Sequence, residues 1–180
     1  KKLHRLILGS RTYRLATTEQ AANTSLDPEN IFLWRANRKR LDAEQLRDSL
    51  LTFSGQLDRT LGGRHPFPHR LTYFYRQHEP FQEKYASNRR SIYLMQQRIQ
   101  KNPYLDLFDG SDGSLHLGER QSSVTTLQAL YFMNSEFIHG QADAIASRMV
   151  GRADAVDALY ALVFNRPPDD SETAAAQKYL

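Results

Sequence analysis

The sequence predicts a mainly helical domain made of helix hairpins, with at most a small antiparallel β ribbon. Three observations predict it. Apolar residues recur at helical spacing along most of the chain, capping signals stand in front of those runs, and Gly, Pro, Asn or Asp close them. Only residues 56 to 88 break the pattern, and there alternation and turn residues replace it.

The chain starts in helical register, with Leu3, Leu6 and Ile7 on one face of KKLHRLILGS. Asp27-Pro28 reads as a helix start, Asp as N-cap and Pro at the first helical position. That helix is expected to run through Ile31, Trp34 and Arg35 and to end near Arg38 to Arg40, where the macrodipole favours cations. Asp42 opens the next helix with Gln45 as its capping-box partner, and Leu41 and Leu46 are spaced as a hydrophobic staple. Leu46, Leu50, Phe53 and Leu57 continue an apolar stripe, and Gly55 is placed to stop it. The change from basic to acidic side chains within WRANRKRLDAEQLRDSL therefore falls at a joint between two helices. Read as a helix-turn-helix DNA reader, this joint would face Gln45, Arg47 and Ser49 outward. The same helix offers Glu44 and Asp48, which phosphates repel, and this weighs against nucleic acid.

Residues 56 to 88 form a turn-rich excursion with His65, His69 and His78 and the aromatics Phe67, Tyr73, Phe74, Tyr75, Phe81 and Tyr85. Leu71 to Arg76 and Ile92 to Met95 have the alternation of short strands. Tyr73, Tyr75 and Arg76 suit stacking on sugars with charge pairing alongside; the plainer reading is that large side chains pin a long loop to its domain. The histidine spacing matches no zinc pattern, and His4, His116 and His139 add none, so no metal site is predicted. Asp106, Asp109 and Asp112 recur in DLFDGSDGS without the ligand order of a calcium loop, and Gly110 and Gly113 suggest successive turns instead. Leu127, Leu130, Tyr131, Phe137, Ile138, Ile145 and Met149 make a helical stripe that Asn134 interrupts, as an N-cap or a kink. Thr125, Thr126 and Gln128 either bond the nearby backbone or form a polar ligand trio. The tail is a hairpin: Val156, Leu159, Tyr160 and Val163 on one face, a Pro167-Pro168 stop, then Asp169 and Glu172 as a capping box.

A chain of 180 residues, 40% of them apolar, is long enough for a core. The absence of cysteine removes disulfides, thiol nucleophiles and covalent haem attachment from this chain. No apolar run approaches the roughly 20 residues of a membrane span. An abrupt helical start without a signal-peptide pattern reads as a fragment of a longer protein, folded as one domain over 1–180. The net charge of +4 hides a gradient: nine Lys/Arg against three Asp/Glu in residues 1–40, nine against six in 41–100, six against eleven in 101–180. A basic amino-terminal third fits a polyanion surface or a charge-complementary neighbour.

Seven blocks then occur in an order that resembles one family. LHRLILGSRTYR (Leu3 to Arg14), DPENIFLWRANRKRLDAEQLRDSLL (Asp27 to Leu51), LDRTLGG (Leu57 to Gly63), RRSIYL (Arg89 to Leu94), LDLFDGSD (Leu105 to Asp112), TTLQALYFMNSEF (Thr125 to Phe137) and LYALVFNRPPDDSE (Leu159 to Glu172) are similar to the planctomycete-specific domain of unknown function 1553. The resemblance implies a large exported bacterial protein, periplasmic or at the cell surface. In it this region, lacking the family's amino-terminal part, follows a second domain of unknown function, often with a cytochrome c module upstream. Haem would belong to that module and no cofactor to this chain. The family has no established catalytic residues. Its characteristic polar positions fall on Tyr13, Arg14, Asn30, Arg40, Asp42, Arg47, Asp48, Arg90, Asp109, Thr126, Gln128 and Asn134, while Leu127 and Glu136 stand where many members have Pro.

Three functions follow as expectations. The first is a non-catalytic interaction domain that docks on neighbouring domains of its own polypeptide. The second is a polysaccharide-binding module using Arg40, Arg47, Arg90, Tyr73, Tyr75 and Arg76. The third is a hydrolase pairing Asp48 or Asp109 with Arg40 or Arg90 in one pocket. Against all three stands an ion-pair network of Arg40, Asp48 and Arg90 that only fixes helix packing.

Overall fold

The computed structural model describes residues 1–63, 87–96, 101–113, 116, 118–120 and 122–179. Among them it holds eight α-helices, one 3-10 turn and no strand, so the chain is mainly helical as expected. The ribbon expected at Ile92 to Met95 is replaced by a 3-10 turn over Ser91–Tyr93, joined to the chain near Asp58 by a single parallel bridge, Asp58 to Arg89. The other expected strand, Leu71 to Arg76, lies outside the described residues together with Tyr73 and Tyr75. The chain divides into two compact units, residues 1–40 and residues 41–180.

The first unit contains α1 (Lys2–Leu8) and α2 (Ala21–Leu26). Its second helix corrects the sequence reading: Asp27 follows α2, and no helix runs from Pro28 to Arg40. The reason is a polar knot. The Asp27 carboxylate accepts the backbone N–H groups of Ile31 and Phe32, each at 2.9 Å, and its carbonyl accepts the Trp34 indole N–H at 3.0 Å. Those contacts take Ile31 and Phe32 away from the helical ladder. Asn30 and Leu33 adopt left-handed φ of 56° and 55°, which a helix does not tolerate. The Asn30 carboxamide pairs with both backbone groups of Arg35, donating at 2.7 Å and accepting at 3.2 Å, and also donates to the Asn37 side chain. Asp27 and Asn30 are consequently the buried residues of this unit, while Leu3, Leu6, Ile31, Phe32 and Leu33 stay exposed.

The second unit is built on α3 (Ala43–Ser54). Its capping box is present as read from the sequence, with Asp42 accepting from the backbone of Gln45 and the Asp42 N–H reaching Gln45 Oε1 at 3.1 Å. Gly55, at φ 78°, closes the helix: its N–H bonds to Thr52 O and that of Gln56 to Leu51 O, a Schellman motif. The buried line is Ala43, Arg47, Leu51 and Ser54, one position round from the stripe read in the sequence; Leu46 packs on the core, and Leu41 is 51% exposed.

The core lies between α3, α4 (Pro103–Leu107), α5 (Thr126–Asn134) and α6 (Glu136–Met149). Ala43, Leu105 and Phe108 are its buried members, with Leu46, Tyr104, Leu107 and Tyr131 packed on them. Tyr104, Phe108, Tyr131 and Phe137 form a ring cluster with centroids 4.9 to 6.4 Å apart. Asn102 caps α4 by accepting from the N–H groups of Tyr104 and Leu105. Gly110 then folds back so closely on that helix that a Cβ would lie 2.7 Å from the Leu105 Cβ.

The break expected at Asn134 is present, but Ser135 takes the N-cap position of α6 and the Asn134 amide donates back to Leu130 O at 2.9 Å. The stripe assigned to α5 needs correction. Its inner face is Gln128 and Tyr131, and Leu127 and Leu130 point to solvent at 64% and 46% exposure. The tail hairpin is as read: α7 (Ala155–Phe164), then α8 (Asp170–Tyr179), with the Asp169–Glu172 capping box formed in both directions. Arg166 ties it by pairing both guanidinium nitrogens with Glu172 at 2.7 Å.

Candidate functional site

Two adjacent residues of α3 face a neighbouring segment and lock it in place. Arg47 is 8% exposed, and it donates to Arg89 O at 2.9 Å, to Ser91 Oγ at 3.2 Å and to Ser87 O. Asp48 Oδ1 accepts the Ser91 N–H at 2.8 Å and the Ser91 hydroxyl at 2.7 Å. Among the described residues the segment 87–91 has one bridge and no ladder, and these side chains satisfy backbone groups that a ladder would otherwise take. Burial pulls the Arg47 pKa below the ordinary arginine value, and Asp48, 3.7 Å away, offsets part of that. Phe137 lies under the guanidinium at 5.9 Å. On the same side the Tyr104 hydroxyl donates to Ala43 O at 2.8 Å, and burial pushes its phenol above the usual range.

The opposite flank of α3 lines a cleft of about 800 Å³ closed by residues 90–92, Gln96, Ser111 and Arg120. Its charged side chains are Asp42, Glu44, Asp48, Arg59, Arg90 and Arg120. Three acids and one base among them have structural duties. Asp42 caps α3, Asp48 holds Ser91, and Glu44 forms a bidentate pair with Arg120, one contact at 3.1 Å and the other at 2.5 Å. Burial alone would raise the Glu44 pKa, but the hydrogen bonds from Arg120 and the backbone of Ser111 outweigh it and hold the carboxyl below its ordinary range. Arg59 and Arg90 carry no such partner among the described residues.

The remaining sequence candidates are dispersed. Arg40, Tyr13 and Arg14 are exposed in the first unit, where Asn30 belongs to the polar knot. Asp109, at φ 57°, accepts the N–H and hydroxyl of Ser123, each at 2.7 Å. Asp112 pairs with Lys101 at 3.1 Å and Asp106 with the same lysine at 3.2 Å. No cluster with metal-ligand character occurs among the described residues. Gln128 is buried; its amide donates to Leu107 O at 2.8 Å and its oxygen completes the Thr125 capping box, while Thr126 only begins α5. Tyr73, Tyr75 and Arg76 lie outside the described residues. Of the pairs named for hydrolysis, Asp48 and Arg90 do line one cleft, with Oδ1 of Asp48 committed to Ser91. Within the second unit, Arg47 and Asp48 carry a packing network with the segment 87–91.

The outer face of α5 is of another kind. Leu127, Leu130 and Met133 follow one another at helical spacing, 64%, 46% and 69% exposed, with Val124 beside the helix at 89%. The helix TLQALYFMN has no charged residue.

Compared with known proteins, residues 1–180 match the family model described as PSD1, a protein of unknown function (DUF1553). No curated protein and no solved structure matches the chain. No described helix is long and apolar enough to cross a membrane.

Proposed function

Because the chain belongs to the PSD1 (DUF1553) family, whose function is unknown, its role must be read from its surfaces, and we propose that it is a non-catalytic interaction domain. One observation carries this reading: the uncharged outer face of α5, with Leu127, Leu130 and Met133 exposed in a row. A helix face turned permanently to water carries charged or polar residues, and contiguous apolar patches mark interfaces. Lack of charge also selects the kind of interface. Permanent contacts are more apolar than transient ones, which fits a domain held against another part of its own polypeptide. The resemblance noted above supplies such a neighbour, a second domain followed by this one in an exported, redox-linked protein whose haem sits on a separate module.

Leu130→Glu tests the reading. In the 180-residue chain it leaves helix content and melting temperature close to those of the parent, since Leu130 is 46% exposed and is not among the side chains packed on the core cluster. In the longer polypeptide it exposes the junction to limited proteolysis. Equal protease resistance of parent and variant polypeptides would refute docking through α5.

A further inference from the structure

We propose that Arg59 and Arg90 form a paired-guanidinium site for a carboxylate or sulfate group carried on a sugar chain. The backbone sets them side by side. Asp58 and Arg89 are bridged in parallel, with the Asp58 N–H bonded to Asn88 O at 2.9 Å. In parallel pairing the residues next along each chain share one side of the ribbon, and neighbouring chains lie about 4.8 Å apart. Arg59 and Arg90 are those next residues, and both line the cleft on the flank of α3. Arg89 turns the other way, its guanidinium 4.2 Å over the Tyr93 ring and bonded to Thr60 O and Gly62 O.

Charge completes the reasoning. Asp42, Glu44 and Asp48 line the same cleft, engaged by the α3 cap, by Arg120 and by Ser91, and among the described residues no carboxylate forms an ion pair with Arg59 or Arg90. Adjacent guanidinium groups with no ion-pair partner among the described residues repel each other, and their planar forks match the oxygens of a carboxylate or sulfate. The cleft is far larger than an inorganic ion, at about 800 Å³, and falls within the usual size of ligand pockets. Around the arginines it offers Ser49, Gln45 and Gln96 as polar partners and Ile92, 81% exposed, as an apolar edge. Gln45 is already oriented, its oxygen engaged by the Asp42 N–H. Amide and hydroxyl groups beside an apolar edge suit a sugar ring, with hydroxyls on its rim and C–H groups on its faces. This site is independent of the α5 face.

The test is calorimetric titration of the 180-residue chain with a galacturonate hexamer and its sulfated counterpart, at low and high salt. At least one acidic hexamer is expected to bind, with affinity falling as salt rises. Arg59→Gln and Arg90→Gln should each weaken binding at least threefold, and the double variant at least tenfold, with circular dichroism unchanged. Arg5→Gln/Arg11→Gln removes the same charge elsewhere and should leave affinity within twofold. Absence of binding by both hexamers, or equal losses in the two double variants, would overturn the proposal. Inorganic sulfate binding as tightly as the hexamers would make this a free-oxyanion site, and tighter binding of poly-glutamate would make it a protein contact; either result overturns the sugar assignment.

Discussion

Replacing Arg47 with Met keeps much of the side-chain stem and removes only the guanidinium. The variant leaves Ser87 O and Arg89 O without their donor and Ser91 Oγ with Asp48 alone. Hydrogen bonds to a charged group contribute about 1.5–3 kcal/mol each, but removing a desolvated cation gives back several kcal/mol. Segment 87–91 is partly open to water, which recovers some of the lost bonding. The expected net loss is about 2–3 kcal/mol, a large part of the ~5–15 kcal/mol typical of a domain. Arg47→Ala, which also removes the stem beside Phe137, should cost about 3–5 kcal/mol. Urea unfolding followed by far-ultraviolet circular dichroism measures both; the sole tryptophan, Trp34, is in the first unit and reports on that instead. Exchange at the Ser91 and Leu94 amides should accelerate in step, because the latch holds their turn. A Met variant within about 0.5 kcal/mol of the parent would refute the latch as a main support of this unit.

Other consequences follow from the same geometry. Glu44 has its pKa held below the ordinary 4.5, so its pairing with Arg120 stabilises the fold above that pH and the contribution fades as pH falls through the folded-state value. Glu44→Gln should cost about 0.5–1 kcal/mol at pH 7, a difference that shrinks as pH falls below the ordinary carboxylate range, as read from melting temperature against pH. The Tyr104 phenol has its pKa raised above the ordinary 10.0, so the unfolded chain ionises first; stability is complete below that pH and falls as pH rises above it. Tyr104→Phe should flatten this alkaline loss while costing about 1 kcal/mol at neutral pH for the bond to Ala43 O. Gly110→Ala forces a Cβ to within 2.7 Å of Leu105 and should destabilise by about 1–3 kcal/mol, whereas at Gly55 the new Cβ meets only the Arg148 side chain at ordinary contact distance, 3.7 Å, and costs about 1 kcal/mol for its left-handed φ. Equal losses in the two glycine variants would contradict the close approach at Gly110.

Local chemistry was legible in the sequence wherever a few neighbouring residues decide the structure. The boxes at Asp42–Gln45 and Asp169–Glu172 and the Gly55 stop need contacts only within one turn of chain, and each is formed as read. Asp27-Pro28 shows the limit of such signals. The residues suit a helix start, but the same carboxylate can accept N–H groups four and five positions on, and with Asn30 left-handed the turn wins. Arg47 shows a different limit: its partners are 40 to 44 residues away, and no local pattern marks an arginine whose acceptors are distant. Gln128 was placed near the right backbone, but its partner Leu107 lies across another loop. The cleft itself depends on a bridge between residues 58 and 89, which periodicity cannot reveal.

The central claim, that α5 is a docking face, is tested most directly by hydroxyl-radical footprinting of Met133 in the 180-residue chain and in a longer polypeptide that also carries the upstream domain implied by the family resemblance. Met133 is 69% exposed here, and Met149, half-buried in α6, serves as the internal reference. The account predicts that oxidation of Met133 slows at least fivefold in the longer polypeptide while Met149 changes less than twofold. Equal Met133 rates in the two proteins would leave the α5 face in water and contradict the account.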